Sequence, residues 1–173
     1  MEAWDVYDRN GDLTGRVKMR GDAFPEGEYH LGASLWIVNH DGALLIQKRA
    51  PQKRFGPGKW SITGGAVRAG ETSVEGCLRE VEEELGLKVH AEEIELLARS
   101  FGKHIIFDDY VAVRDFPLSA LTLQTEEVSA AKWARIPEIR SLHGAGEFLF
   151  DDMSEMDKLI AYMERRLGKG TWA

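Results

Sequence analysis

The sequence predicts an α+β fold, a mixed β-sheet core with helices packed outside it, and three observations carry that prediction. Short runs of period-two alternation, separated by glycine-bearing turns, recur through residues 3–136. A strongly patterned amphipathic helix interrupts them at 72–86, and another follows them at 153–168. The chain has 173 residues and 43% hydrophobic content, enough for one sizeable core and little for two, so a single domain over 1–173 is expected.

The elements follow in order. "AWDVYDRNGDLTGRVKM" holds two alternating runs around Asn10-Gly11, a pair that accepts the positive φ of a tight turn, and predicts a hairpin over 3–19. Residues 1–29 would then be an N-terminal extension that pairs across a homodimer or covers its own sheet edge. After Pro25 and Gly27, "YHLGASLWIVN" is rich enough in β-branched and aromatic residues to be a central strand, and it turns at Asp41-Gly42 into "ALLIQKR". The loop "APQKRFGPGKW" leads to a short strand, "SITGGAV", and a turn closing at Gly70. Beyond the first helix, "KVHAEEIELLARSFGK" and "HIIFDDYVAVRDF" predict long antiparallel strands, and "AAKWARI" another. "IPEIRSLH" predicts a short helix begun at Pro137, and "MSEMDKLIAYMERRLG" a helix stopped by Gly168. Trp36, Trp60 and Trp133 fall in strand patterns and are expected in the core.

Composition excludes several classes. A net charge of -7 and a pI near 5.3 argue against a duplex nucleic-acid surface, which needs clustered Lys and Arg. The single cysteine, Cys77, forms no internal disulfide or cysteine-based zinc cluster and suits a reducing cytoplasm. No run of about 18 apolar residues and no secretory leader pattern is present, so a soluble, unprocessed chain is expected, with no membrane partner.

The first helix is capped at Thr72-Ser-Val-Glu75 and stopped by Gly86. At about 100° per residue, Val74, Cys77, Leu78, Val81 and Leu85 form one apolar stripe, and Glu80, Glu83 and Glu84 spread over an opposite, exposed face. Glu75 and Glu82 point elsewhere. Gly76 lies in the helix interior, where glycine costs about 1 kcal/mol relative to alanine, so another group is expected to approach the backbone there. A bare glutamate run is ordinarily a solvated face. Three carboxylates on one face are also hard oxygen ligands for Mg²⁺ or Mn²⁺, which can neutralise phosphate oxygens and activate a water.

The wider spacing favours the second reading. Gly65, then Glu71, then Arg79-Glu80-Val81, Glu83-Glu84 and Gly86-Leu87 match the Nudix box at every defined position over 65–87, and the chain resembles the Nudix hydrolase superfamily. The resemblance implies a Nudix-type α/β/α sandwich and a divalent-metal-dependent pyrophosphohydrolase acting on a nucleoside diphosphate linked to X or a similar small-molecule diphosphate. It further implies that Glu80, Glu83 and Glu84 hold Mg²⁺ or Mn²⁺ with the Gly64 carbonyl, that Arg79 orients a helix glutamate, that Glu80 or Glu83 takes part in catalysis, and that Gly65 and Glu71 support the loop.

Flanking stretches such as "WDVYDRNGDLTGR", "LLIQKRA" and "GKWSITGGAV" are similar to the branch related to isopentenyl-diphosphate isomerase. The loop before the box lacks that branch's cysteine, and Cys77 lies on the apolar stripe, so hydrolysis ranks above isomerisation. A Nudix domain that binds a nucleotide without catalysis is the third alternative. His30 matches a histidine of the isomerase-like branch, where it would contact metal or phosphate, or else it is structural. Arg49 and Lys53 are substrate candidates against a solvated-surface alternative, and Glu126 and Glu127 are weaker candidates for a further carboxylate.

Overall fold

The computed structural model describes residues 2–149, 154–168, 170 and 172. Met153, the predicted first residue of the last helix, lies outside them.

The N-terminal hairpin pairs β1 (Ala3–Tyr7) with β2 (Leu13–Met19). Its turn is longer than the two residues expected. The Asp8 carboxylate accepts from the amides of Asn10 (2.8 Å) and Asp12 (3.1 Å), organising residues 8–12, and only Gly11 takes a positive φ, 84°.

The spine of the main sheet is β3 (His30–Val38), parallel to β8 (Ile105–Val113). β3 meets β4 (Leu44–Arg49) at Val38 and Leu44, and the two then diverge. The segment predicted as one strand over 61–67 is wedged between them and divides at Ile62: β5 (Trp60–Ser61) pairs with β4, while β6 (Thr63–Ala66) pairs with β3. Changing partners breaks the strand.

β7 (Glu95–Phe101) lies antiparallel to β8, and β9 (Val128–Ala134) antiparallel to β4. The strand expected from Lys88 starts only at Glu95. The Glu93 carboxylate accepts from the His90 amide (2.7 Å) and stabilises one 3₁₀ turn at Ala91–Glu93 instead.

Alternation along β3 feeds two cores. Leu31, Ala33, Leu35 and Ile37 pack with Cys77, Val81 and Leu85 of α1 (Ser73–Leu85). Trp36 and Val38 pack on the other face with Ile136 and Ile139 of α2 (Ile136–Gly144) and Met156, Leu159 and Met163 of α3 (Ser154–Leu167). The architecture is an α/β/α sandwich. Trp36 is fully buried; Trp60 and Trp133 are half-buried, with the Lys132 ammonium 4.3 Å from the Trp60 ring centroid.

The hairpin lies against its own domain. Tyr7 and Tyr29 exchange backbone hydrogen bonds (2.8 and 3.0 Å), and the Ala69 and Gly70 amides donate to the Ala3 carbonyl (2.8 Å) and the Asp5 carboxylate (2.7 Å).

Candidate active site

The capping box forms as its sequence suggests: Thr72 Oγ1 accepts from the Glu75 amide (3.2 Å), and the Glu75 carboxylate accepts from the Thr72 amide (2.8 Å). This fixes the start of α1 directly after the loop from β6. Gly76 explains how closely the two approach, because a Cβ there would lie 2.9 Å from a Val67 methyl.

The three helix glutamates do not share one exposed face. Glu83 is 41% exposed, whereas Glu84 is 5% exposed and Glu80 largely covered. The difference arises because β6 and β4 lie over the glutamate side of the helix: Glu80 packs on Gly65, where a Cβ would sit 2.6 Å from its carboxyl carbon, and Glu84 reaches Gln47 of β4. A helical wheel does not contain those strands.

Arg79 ties the loop to the helix. Its guanidinium donates to both Glu71 oxygens (2.7 and 3.0 Å), to Glu80 (2.5 Å), to Glu83 (3.2 Å) and to the Ala66 carbonyl (3.0 Å). Burial alone would lower its pKa, but the hydrogen bonds to Glu71 and Glu80 raise it. Burial likewise opposes charge on Glu71, yet Arg79 and the Arg68 amide hold its carboxyl below the usual value. Glu80 is pushed up, chiefly by burial against the pull of Arg79. Glu84 rises to about 7 for the same first reason, with the Gln47 bond lowering it and Glu80 raising it further.

Sequence reasoning missed two partners. Gln47, itself buried, donates to Glu84 (2.5 Å) while accepting from Thr63 Oγ1 (3.0 Å), so its amide orientation is set from behind. Arg68 donates to both oxygens of Glu83 (3.2 and 3.3 Å). Gln47 lies 37 residues before Glu84, and only the inward alternation of "LLIQKR" hinted at it; Arg68 lies inside the 65–87 box, at a position the motif leaves undefined.

These groups surround one cavity of about 810 Å³. Glu80, Glu83 and Glu84 share its lining with Gly64, Gly65, Arg49, Lys53, His30 and Glu127, and the hairpin adds Trp4 and Arg20. Gly64 lies so close to β3 that a Cβ would come within 2.5 Å of the Ala33 carbonyl oxygen. Arg49 donates to the Phe55 carbonyl (3.0 Å), and Lys53 is ion-paired with Glu127. Burial lowers the pKa of both cations.

His30 stacks on Trp4 (4.4 Å between centroids, 18° between planes), its Nδ1 is buried without a partner among the described residues, and burial lowers its pKa. Glu126 is not in the lining and borders an adjoining basic pocket instead. Cys77 is buried in the core beneath α1, its thiol raised to about 12 by burial first and nearby carboxylates second. Asp108 is bound by Arg99 (2.6 and 2.7 Å) and Ser73 (2.5 Å).

The NUDIX domain family model matches residues 28–152. An uncharacterised Nudix hydrolase of Listeria monocytogenes is 39% identical over 86% of this chain and 89% of its own. Among solved structures, DR0079 from Deinococcus radiodurans superposes with a TM-score of 0.75 at 23% identity, over 90% of this chain and 96% of that one. The NUDIX domain of Shewanella oneidensis NrtR, crystallised with ADP ribose, gives 0.63 at 16% identity over 86% and 95%, a likeness of fold. Nudix hydrolases cleave diphosphate linkages, generally with divalent metals such as Mg²⁺, and this chain belongs to their family.

Proposed function

We propose that the whole chain, hairpin included, is a metal-dependent pyrophosphohydrolase that splits the diphosphate of a nucleoside diphosphate linked to X, or of a similar organic diphosphate. The observation that carries this reading is the convergence of Glu80, Glu83, Glu84, Gly64 and Gly65 on one cavity with Arg49 and Lys53.

The chemistry of the donor set suits Mg²⁺ or Mn²⁺: three carboxylates and a backbone carbonyl are hard oxygen ligands. Among the described residues no three carboxylates, histidines or cysteines form a ready ligand group, because Glu80 is turned to Arg79, Glu83 to Arg68 and Arg79, and Glu84 to Gln47. Taking up an ion therefore means exchanging guanidinium partners for it. Glu80, Glu83 and Glu84, with the Gly64 carbonyl, would hold the ion, which supplies charge neutralisation on the phosphate oxygens and a more acidic water.

The other roles belong to the chain. Arg49 and Lys53 receive the diphosphate, and Arg79 keeps Glu80 in place while Glu71 and Gly65 hold the loop. His30 backs the cavity wall through Trp4. A water oxygen bonds to phosphorus as the bridging P–O bond breaks, and its proton passes to one of the glutamates. With Cys77 in the core, no thiol borders the cavity, which weighs against isomerisation.

Mg²⁺-dependent hydrolysis should be measured, as monophosphate products or as phosphate freed from them by an added phosphatase, over nucleotide sugars, ADP-ribose, nucleoside di- and triphosphates and isoprenoid diphosphates. Glu83→Gln and Glu84→Gln should each remove most of the turnover without unfolding the chain, and wild-type rates in both would refute the assignment. The pH profiles of the Glu80→Gln, Glu83→Gln and Glu84→Gln enzymes assign the proton acceptor. No helix among the described residues is long and apolar enough to cross a membrane. A cytoplasmic site of action belongs to the same reading, and sedimentation decides between monomer and homodimer.

A further inference from the structure

Beside the glutamate cavity lies a second cleft of about 540 Å³, which shares Arg49, Gly64 and Gly65 with it, so that the two are continuous across the glycine pair. Its character is different. Phe55, Phe101, Phe107, Ile105 and Leu149 line it, and Phe55 and Phe101 are 69% and 50% exposed. Phe107 packs onto β3 at Gly32, where a Cβ would lie 2.7 Å from its ring.

Buried in this lining, where β3 and β8 run parallel, is the pair Ser34 and Asp109. Asp109 is only 3% exposed. Ser34 donates to one of its oxygens, and the other takes no hydrogen bond among the described residues. Among the described residues, apart from Arg49 at the boundary, the polar side chains lining the cleft are the hydroxyls of Ser34, Ser61 and Ser100 and the carboxyls of Asp109 and Glu155. The lining therefore sets two carboxyls, with the Lys158 cation near Asp109, among aromatic rings and hydroxyls that can donate or accept.

We propose that this cleft binds the organic group of the diphosphate substrate, that this group is an amino-bearing heteroaromatic base, and that Asp109, held by Ser34, selects it by accepting an N–H. The inference rests on the pyrophosphohydrolase reading and narrows it. Phenylalanine faces favour a flat ring. A carboxylate oxygen in the cleft wall with no protein donor among the described residues can accept one from a ligand, and covering it with an isoprenoid chain would leave it desolvated and unpaired. An anionic group would meet Asp109 and Glu155 with like charge. A site built around one hydrogen bond discriminates strongly against an analogue that lacks it.

The test compares adenosine 5′-diphosphate with purine riboside 5′-diphosphate, which lacks only the amino group. Burial, offset by Ser34 and reinforced by Glu155, raises Asp109 to about 6, so measurements at pH 8 keep it ionised. Binding is read by calorimetry in EDTA, and kcat and KM separately with Mg²⁺. The wild type should favour the amino compound by about tenfold or more in both affinity and kcat/KM. Asp109→Leu should bring that ratio within about twofold through KM, while Asp109→Asn, which retains an acceptor oxygen, should keep a preference of several fold.

An unchanged ratio in Asp109→Leu overturns the proposal, as does tighter binding of isopentenyl diphosphate than of adenosine diphosphate. If no diphosphate is hydrolysed, the pyrophosphohydrolase reading fails while the EDTA binding ratios still decide this one. If hydrolysis proceeds with no amino preference, only this one fails.

Discussion

Replacing Arg79 by methionine removes the cation at the centre of the box and leaves its shape nearly filled. Five hydrogen bonds disappear: two to Glu71, one each to Glu80 and Glu83, and one to the Ala66 carbonyl. The side chains of Glu71 and Glu80 are only 23% and 15% exposed, so two poorly solvated carboxylates lose their counter-ion. Breaking a fully buried pair costs about 3–5 kcal/mol, and partial access to water places this case near about 3 kcal/mol at pH 7. For a chain of this size that is a fall of roughly 6–12 °C in Tm. Urea melts in EDTA at pH 7 and pH 4.5 provide the assay. The loss should shrink at the lower pH, where protonated carboxyls need no cation. Arg79→Lys should recover less than half, because an ammonium cannot make the two-point contact with Glu71. A change below 1 kcal/mol in Arg79→Met, or wild-type stability in Arg79→Lys, would refute the reasoning.

Gln47→Leu should cost about 1–3 kcal/mol by leaving buried Glu84 and Thr63 without their shared partner, and should weaken Mn²⁺ binding measured by calorimetry. Gly65→Ala, whose new methyl would overlap the Glu80 carboxyl, should lower kcat with little change in far-UV circular dichroism. Glu84 is raised from 4.5 to about 7, so the folded state binds more protons than the unfolded one between those values. Stability in EDTA should therefore fall as pH rises through that window, by about 3 kcal/mol at most, and Glu84→Gln should be more stable than wild type at pH 8 but not at pH 4.5. Mg²⁺ or Mn²⁺ should raise the Tm, with the increase reduced in Glu80→Gln, Glu83→Gln and Glu84→Gln and retained in Glu82→Gln.

Local patterns carried their elements into the structure wherever one neighbour decided the outcome. The capping box of α1, its apolar stripe and Gly86 at its end are all in place, because each depends on residues within one turn. The close approach at Gly76 was legible from the energetic cost of a glycine inside a helix. What failed depended on distant chain. The break at Ile62 reflects two strands competing for one segment, and the cover over Glu84 comes from Gln47, 37 residues away. The 3₁₀ turn before β7 is a different case, since His90 and Glu93 are neighbours and their side-chain cap could have been read. The pairing of Asp109 with Ser34 was hidden because a parallel register is set by the whole sheet, and alternation in "IIFDDYVAV" says which residues face alike, not what they meet.

The hairpin's strands hydrogen-bond chiefly to each other and join the main sheet through the Tyr7–Tyr29 bridge and a few loop contacts, yet Trp4 and Arg20 form part of the cavity wall. Those few contacts fall on the box itself: the Ala69 and Gly70 amides donate to Ala3 and Asp5, and Glu2 pairs with Arg68, which in turn holds Glu83. Residues before Glu28 therefore shape the entrance and steady the glutamate loop at the same time, so an exchange made at the hairpin is felt at the box.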